Sequence, residues 1–128
     1  MGRVILDSSV LISIYYEGDA HSELVRNYMA EKDNTYLISV ISLAETLTHA
    51  SGKGARAVDH MVEGIRFAVT EIFDVNQEVA IAAAKVRIQQ GIKMPDAIIS
   101  ATATLHGAEL WTLDRKLAKA HKGAVLIS

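Results

Sequence analysis

Residues 3–16 read RVILDSSVLISIYY, and the break in the middle of this stretch decides the fold class. Arg3–Asp7 is a short aliphatic run without polar alternation, the pattern of a strand buried on both faces. Ser8–Tyr16 then reads as a helix, with Gly18 as its stop. A buried strand running straight into a helix opens a β–α unit. The same grammar continues along the chain. Asp19 is a candidate cap for a second helix, with an apolar stripe at Ala20, Leu24, Val25, Tyr28 and Met29. Thr35–Ile38 is a second strand. Val40–Ala50 is helical and breaks at Ser51–Gly54, after which Val58, Met61, Val62 and Ile65 restore the helical period. Val69–Val75 is a third strand. Glu78–Gln90 is an Ala-rich helix ended by Gly91, and Pro95–His106 another ended by Gly107. Glu109–Thr112 is a fourth strand, Asp114–His121 a last helix and Ala124–Ile127 a fifth strand. Strands separated by helices require right-handed crossovers. The expectation is an α/β fold: a three-layer α/β/α sandwich with a mainly parallel sheet of about five strands, residues 1–128 forming one domain.

Composition narrows the chemistry. Half of the 128 residues are apolar and only seven are Phe, Tyr or Trp, so the core is aliphatic. The absence of cysteine excludes disulfides, thiolate zinc sites and thiol catalysis, and fits a reducing cytoplasm. No basic segment with an apolar h-region opens the chain, and no apolar run reaches the ~20 residues of a membrane helix. The expected location is therefore cytoplasmic, away from membranes.

Four acids stand out: Asp7, Glu45, Asp96 and Asp114. Each has an ordinary structural explanation. Asp7 and Asp114 precede helices and suit N-caps. Glu45 follows Ser42 at the capping-box spacing. Asp96, after Pro95, complements a helix dipole in the first turn. Taken together they say more. Ligands of open parallel sheets bind beyond the carboxyl ends of the strands, and Asp7, Asp96 and Asp114 all fall at that edge. Glu45 sits among Val40, Ile41, Leu43, Ala44 and Leu47, an odd setting for a merely solvated acid. Carboxylates gathered in one cleft must protonate or share a cation. Oxygen ligands without His or Cys favour Mg²⁺ or Mn²⁺, which suits phosphodiester chemistry.

The stretches VILDSSVLI (4–12), SLAET (42–46), MPDAIISATA (94–103) and LWTLDRKLA (110–118) resemble, in order and spacing, the PIN-domain nucleases. The likeness is nearest to the small toxins of the VapC type. It implies a Mg²⁺- or Mn²⁺-dependent endoribonuclease using one or two ions. By the same likeness Asp7, Glu45, Asp96 and Asp114 form the catalytic metal-binding cluster, with Ser9 and Thr112 supporting it. It also implies a homodimer, an RNA substrate and a cognate antitoxin protein. Many relatives carry a further acid two positions after the last one; here that position is Lys116.

With the four site acids set aside, eleven acids face thirteen bases, a remaining surface of +2. Arg115, Lys116, Lys119 and Lys122 concentrate that charge, and 115, 119 and 122 share a helical face that could grip phosphates. The segment GKGAR (52–56) reads as a helix connection with possible RNA contacts. The five histidines show no metal-ligand spacing and read as surface or helix-end residues; Trp111 reads as core. Three other functions fit less of the chain. One is a PIN-fold RNA-processing nuclease outside any toxin system. Another is a catalytically silent PIN-like binding module. The last is a phospho-accepting receiver domain with Asp74 as acceptor and Lys93 as its lysine.

Overall fold

The computed structural model describes residues 2–16, 19–31 and 33–128; Gly18, the expected stop of the first helix, lies outside them. The elements run β1 (Arg3–Leu6), α1 (Ser8–Tyr15), α2 (Ser22–Ala30), β2 (Thr35–Ser39), α3 (Val40–Ala50) and α4 (Ala55–Ala68). They continue with β3 (Glu71–Phe73), α5 (Gln77–Gln90), α6 (Met94–Leu105), β4 (Glu109–Thr112), α7 (Arg115–Ala120) and β5 (Val125–Leu126). A 3-10 turn at Ser51–Lys53 joins α3 to α4.

All strand pairs are parallel, in the order β3-β2-β1-β4-β5. The chain steps outward from β1 to β3, then crosses back to β4 and β5. Its helices change face at the reversal. Alternate residues of the central strands show why both faces are apolar. Val4, Leu6, Ile38 and Trp111 pack with Val10, Leu11, Val25 and Ile65, under α1, α2 and α4. Ile5, Leu37 and Leu110 pack with Val79, Ala83, Ile99 and Leu117, under α5, α6 and α7. This is the expected three-layer α/β sandwich. Among the described residues no helix is long and apolar enough to cross a membrane.

Several expectations are corrected. β3 covers three residues rather than Val69–Val75, because the Val69 N–H still bonds the Ile65 carbonyl at the end of α4. β5 shrinks to two residues, because the Ala124 N–H is taken by His121 O in a turn. Asp19 does not cap α2. Its carboxylate accepts from the His21 N–H, and the helix begins at Ser22. Ser42 does not open a capping box either. The chain turns helical at Val40, behind Ser39, whose hydroxyl accepts from the Ile41 N–H. Ser42 lies inside α3, buried, and its hydroxyl finds no protein partner. The receiver-domain alternative also fails. Its strand order, 2-1-3-4-5, sets the third strand beside the first. Here β3 is an edge strand, and Asp74 is exposed beyond it.

Two helix ends are set by glycine. Gly91 closes α5 with φ 67°, and Gly107 follows α6 with φ 60°, conformations in which a side chain is strained. Histidines do sit at helix ends. His106 stacks on Phe73 with ring centroids 3.7 Å apart. His121, at the end of α7, lies 2.7 Å by Nδ1 from the Ser100 hydroxyl of α6 and ties the two helices together.

Burial holds the His121 ring below the usual imidazole range. The unfolded chain then takes up this proton more readily than the folded one. The contribution is complete above the ordinary histidine value of about 6.5 and is lost as pH falls toward the folded value. Urea midpoints compared at pH 7.5 and pH 5.5 are expected to fall more for wild type than for His121→Gln. Equal falls would show that His121 is not responsible.

Candidate active site

Strand order reverses between β1 and β4, and the candidate residues gather where these two strands end. Asp7 follows β1 directly. It is the N-cap of α1, with Oδ1 accepting from the Val10 N–H at 3.1 Å. The Ser9 hydroxyl donates to the same oxygen, and the Thr112 hydroxyl at the end of β4 donates to Oδ2. Each hydroxyl also accepts a backbone N–H of the β4–α7 turn. Ser9 Oγ accepts from the Leu113 N–H at 3.2 Å, and Thr112 Oγ1 from the Asp114 N–H at 2.9 Å. Asp7 N–H completes the seam by bonding Trp111 O. Ser9 and Thr112 therefore support Asp7 from two sides and lock the β1–α1 turn to the β4–α7 turn.

The capping explanation for Asp7 is correct and insufficient. Ser, Asn and Asp cap helices about equally well, each worth ~1 kcal/mol. Only Asp requires a charge to be desolvated, and Asp7 is 3% exposed. Burial outweighs the three hydrogen bonds and, together with the nearby Asp96 charge, raises its carboxyl above the usual range. A helix cap alone gives no reason to carry that penalty.

Asp96 is the hub of the other acids. It lies in the first turn of α6, half-buried. Among the described residues no protein donor bonds its carboxylate. Burial raises its pKa first, then the charges of Asp114 and Glu45, while Lys93 and Lys116 pull it back. Asp114 caps α7 through the Lys116 N–H at 2.8 Å. Glu45, one turn into α3, accepts from the Ser8 hydroxyl at 2.9 Å, so α1 orients it. All four acids thus lie within electrostatic reach of a common hub.

Sequence spacing does not single out Ser8 and Lys93 as site residues, because only the packing of α1 on α3 and the entry into α6 bring them to the acids. Lys122 lies beyond α7, so it does not share a helical face with Arg115 and Lys119.

Among the described residues, no three His, Asp or Glu side chains close into a ready-made metal cage. The donor set still fits a hard divalent ion. Mg²⁺ retains several waters and takes one or two carboxylates directly. Asp96, half-buried and with no donor among the described residues, offers the oxygen pair best suited to it.

The family model of the PIN domain matches residues 4–123. The chain belongs to the PIN-domain family. Solved structures share the fold of this PIN domain over nearly its whole length. A toxin–antitoxin complex from Klebsiella pneumoniae is 26% identical over 98% of both chains, with TM-score 0.78. VapC20 of Mycobacterium tuberculosis, described as a sarcin–ricin loop cleaving toxin, is 20% identical and has TM-score 0.78. The match covers 91% of this chain and 94% of that one. VapBC2 from Rickettsia felis, solved with a fragment of promoter DNA, is 21% identical over 97% and 96%, with TM-score 0.70. No curated protein sequence matches.

If the acids are held together against repulsion, neutralising one relieves strain. In EDTA at pH 7, Asp96→Asn is expected to raise the urea midpoint and Asp7→Asn to hold or raise it. The sign follows from raised pKa values: the ionised forms disfavour the fold once pH exceeds the folded pKa. A lower midpoint in both variants would show that the ionised carboxylates stabilise the fold and would overturn the repulsion.

Proposed function

We propose that this PIN domain is a divalent-metal-dependent endoribonuclease that hydrolyses RNA phosphodiester bonds, the toxin of a toxin–antitoxin pair in the cytoplasm. The observation that carries the reading is Asp96: a half-buried carboxylate with no donor among the described residues, in the field of three other acids. Its Klebsiella and Rickettsia relatives were solved as toxin–antitoxin assemblies, which favours the toxin role and a protein antitoxin over general RNA processing. Retention of all four acids speaks against a silent binding module.

In this reading Asp96, Asp7 and Asp114 would hold the ion, directly or through water. The ion, Mg²⁺ or Mn²⁺, would withdraw charge from the phosphoryl oxygens and acidify a water. Glu45, oriented by the Ser8 hydroxyl, accepts the proton of the attacking water. Ser9 and Thr112 keep Asp7 from rotating, so its oxygens stay aimed without reorganisation. Lys116 occupies the position where many relatives place another acid, so a single ion is the simpler arrangement. Water, and not the ribose 2′-hydroxyl, is the nucleophile, and the chain acts as a homodimer.

Purified protein with Mg²⁺ or Mn²⁺ is expected to cut cellular RNA, and EDTA to stop it. Asp7→Asn, Glu45→Gln, Asp96→Asn and Asp114→Asn should each lower the rate by about 10² or more while preserving the circular dichroism spectrum. Activity retained in all four variants would remove the assignment.

A further inference from the structure

Four grooves touch α7, and three of them, which share walls, are lined by lysine. One of about 600 Å³ is bounded by Arg115, Lys116, Ala118, Lys119 and Leu126. A second, about 230 Å³, is bounded by Gln90, Ile92, Lys116, Lys119 and Ala120. A third, about 340 Å³, takes up Gln90 and Ala120 again and runs on past Gln89, His121 and Lys122. The first two share Lys116 and Lys119 as walls, and the last two share Gln90 and Ala120. Together they make a track of adjoining grooves that starts at Arg115, the sequence neighbour of Asp114, and ends beside the last turns of α5 and α6.

The lining of this track is one-sided. Besides His121 and several apolar residues it contains four cations, two glutamines, two hydroxyls and no acid. Four of the thirteen Lys and Arg residues thus fall within eight positions of the chain. Among the described residues none of the four forms an ion pair. An ordinary solvated helix face accounts for Arg115 and Lys119. It does not account for Lys122, which lies off the helix yet on the same track. Cations left unpaired along a concave path suit a polyanion that follows the path. The described lining holds no Phe, Tyr or Trp, so the grip falls on backbone phosphates rather than on stacked bases.

We infer that this track holds the phosphodiester backbone of single-stranded RNA to one side of the acidic cleft, through Arg115, Lys116, Lys119 and Lys122. The RNA identity rests on the nuclease reading above; the polyanion track does not. Lys116 is the junction. Its backbone N–H is bonded to Asp114 and its side chain lines two of the grooves, so a strand on the track is delivered to the acids from a fixed direction. Positive charge at this position then does for the substrate what an acid there would oppose.

The test uses Lys119 and Lys122, which are exposed and distant in sequence from the four acids. Anisotropy of a labelled unstructured RNA oligonucleotide is measured in EDTA over a salt series, with the intact chain. Wild type is expected to bind with a linear log–log salt dependence. Lys119→Gln/Lys122→Gln should weaken binding several-fold and flatten the slope by about 1.4, roughly 0.7 for each phosphate no longer neutralised. Lys85→Gln, on the outer side of α5, should change neither. An unchanged slope in the double variant, an equal change in Lys85→Gln, or no RNA binding by wild type would overturn the track. Cleavage assays on the same proteins separate the two readings. Cutting with an unchanged slope refutes the track and leaves the nuclease; a flattened slope without cutting under any divalent ion does the reverse.

Discussion

A carboxylate buried where two strands diverge is the constraint around which this molecule is arranged. Asp7 is removed from water at the reversal of strand order, and its lost hydration must be replaced from the protein. One backbone N–H and two hydroxyls do this in part. Hydrogen bonds to a charged group contribute about 1.5–3 kcal/mol each, yet burial still outweighs them here. The remainder is a standing demand for positive charge, and Asp96, Asp114 and Glu45 increase it. The same bonds that serve Asp7 also stitch β1 to β4, so the cleft cannot relax by separating its walls.

The cleft and its surroundings carry opposite charges for related reasons. Asp7, Asp96 and Asp114 occupy caps and a first helical turn, where backbone geometry fixes them, and Glu45 lies a turn inside α3, where Ser8 orients it. Lysines occupy exposed positions on flexible stems one step further out, at Lys93, Lys116 and Lys119. Fixed anions at the centre and exposed cations at the rim are the arrangement that the proposed nuclease would need to hold a metal ion and admit RNA. A net charge of −2 conceals this, because it averages an acidic floor with a basic border.

How much was readable in advance depended on whether a residue's role was local. The β1–α1 unit was legible because an aliphatic run gives way to helical period at Asp7 within the chain itself. The shortened β3 was not. Whether Val69 donates to a strand or to the end of α4 is settled by which carbonyl is nearer in space. Ser42 and Glu45 have the spacing of a capping box, but the chain had already turned helical behind Ser39, so the pair falls inside α3. Asp19 has cap chemistry and supports a turn instead.

Residue order alone determined the alternation of buried strands and helices, hence a parallel α/β sheet, and it named four acids, three of them at element boundaries and Glu45 in an apolar helix. Those features follow from periodicity and from caps, which act over a few residues. Only the tertiary structure decided that β1 lies beside β4 and β3 at an edge. It also decided that Ser8 serves Glu45 from another helix, and that Lys122 joins a groove rather than a helix face. These depend on contacts between residues far apart in the chain, where the winning arrangement is chosen by burying both faces of the sheet at once, and no local pattern encodes that choice.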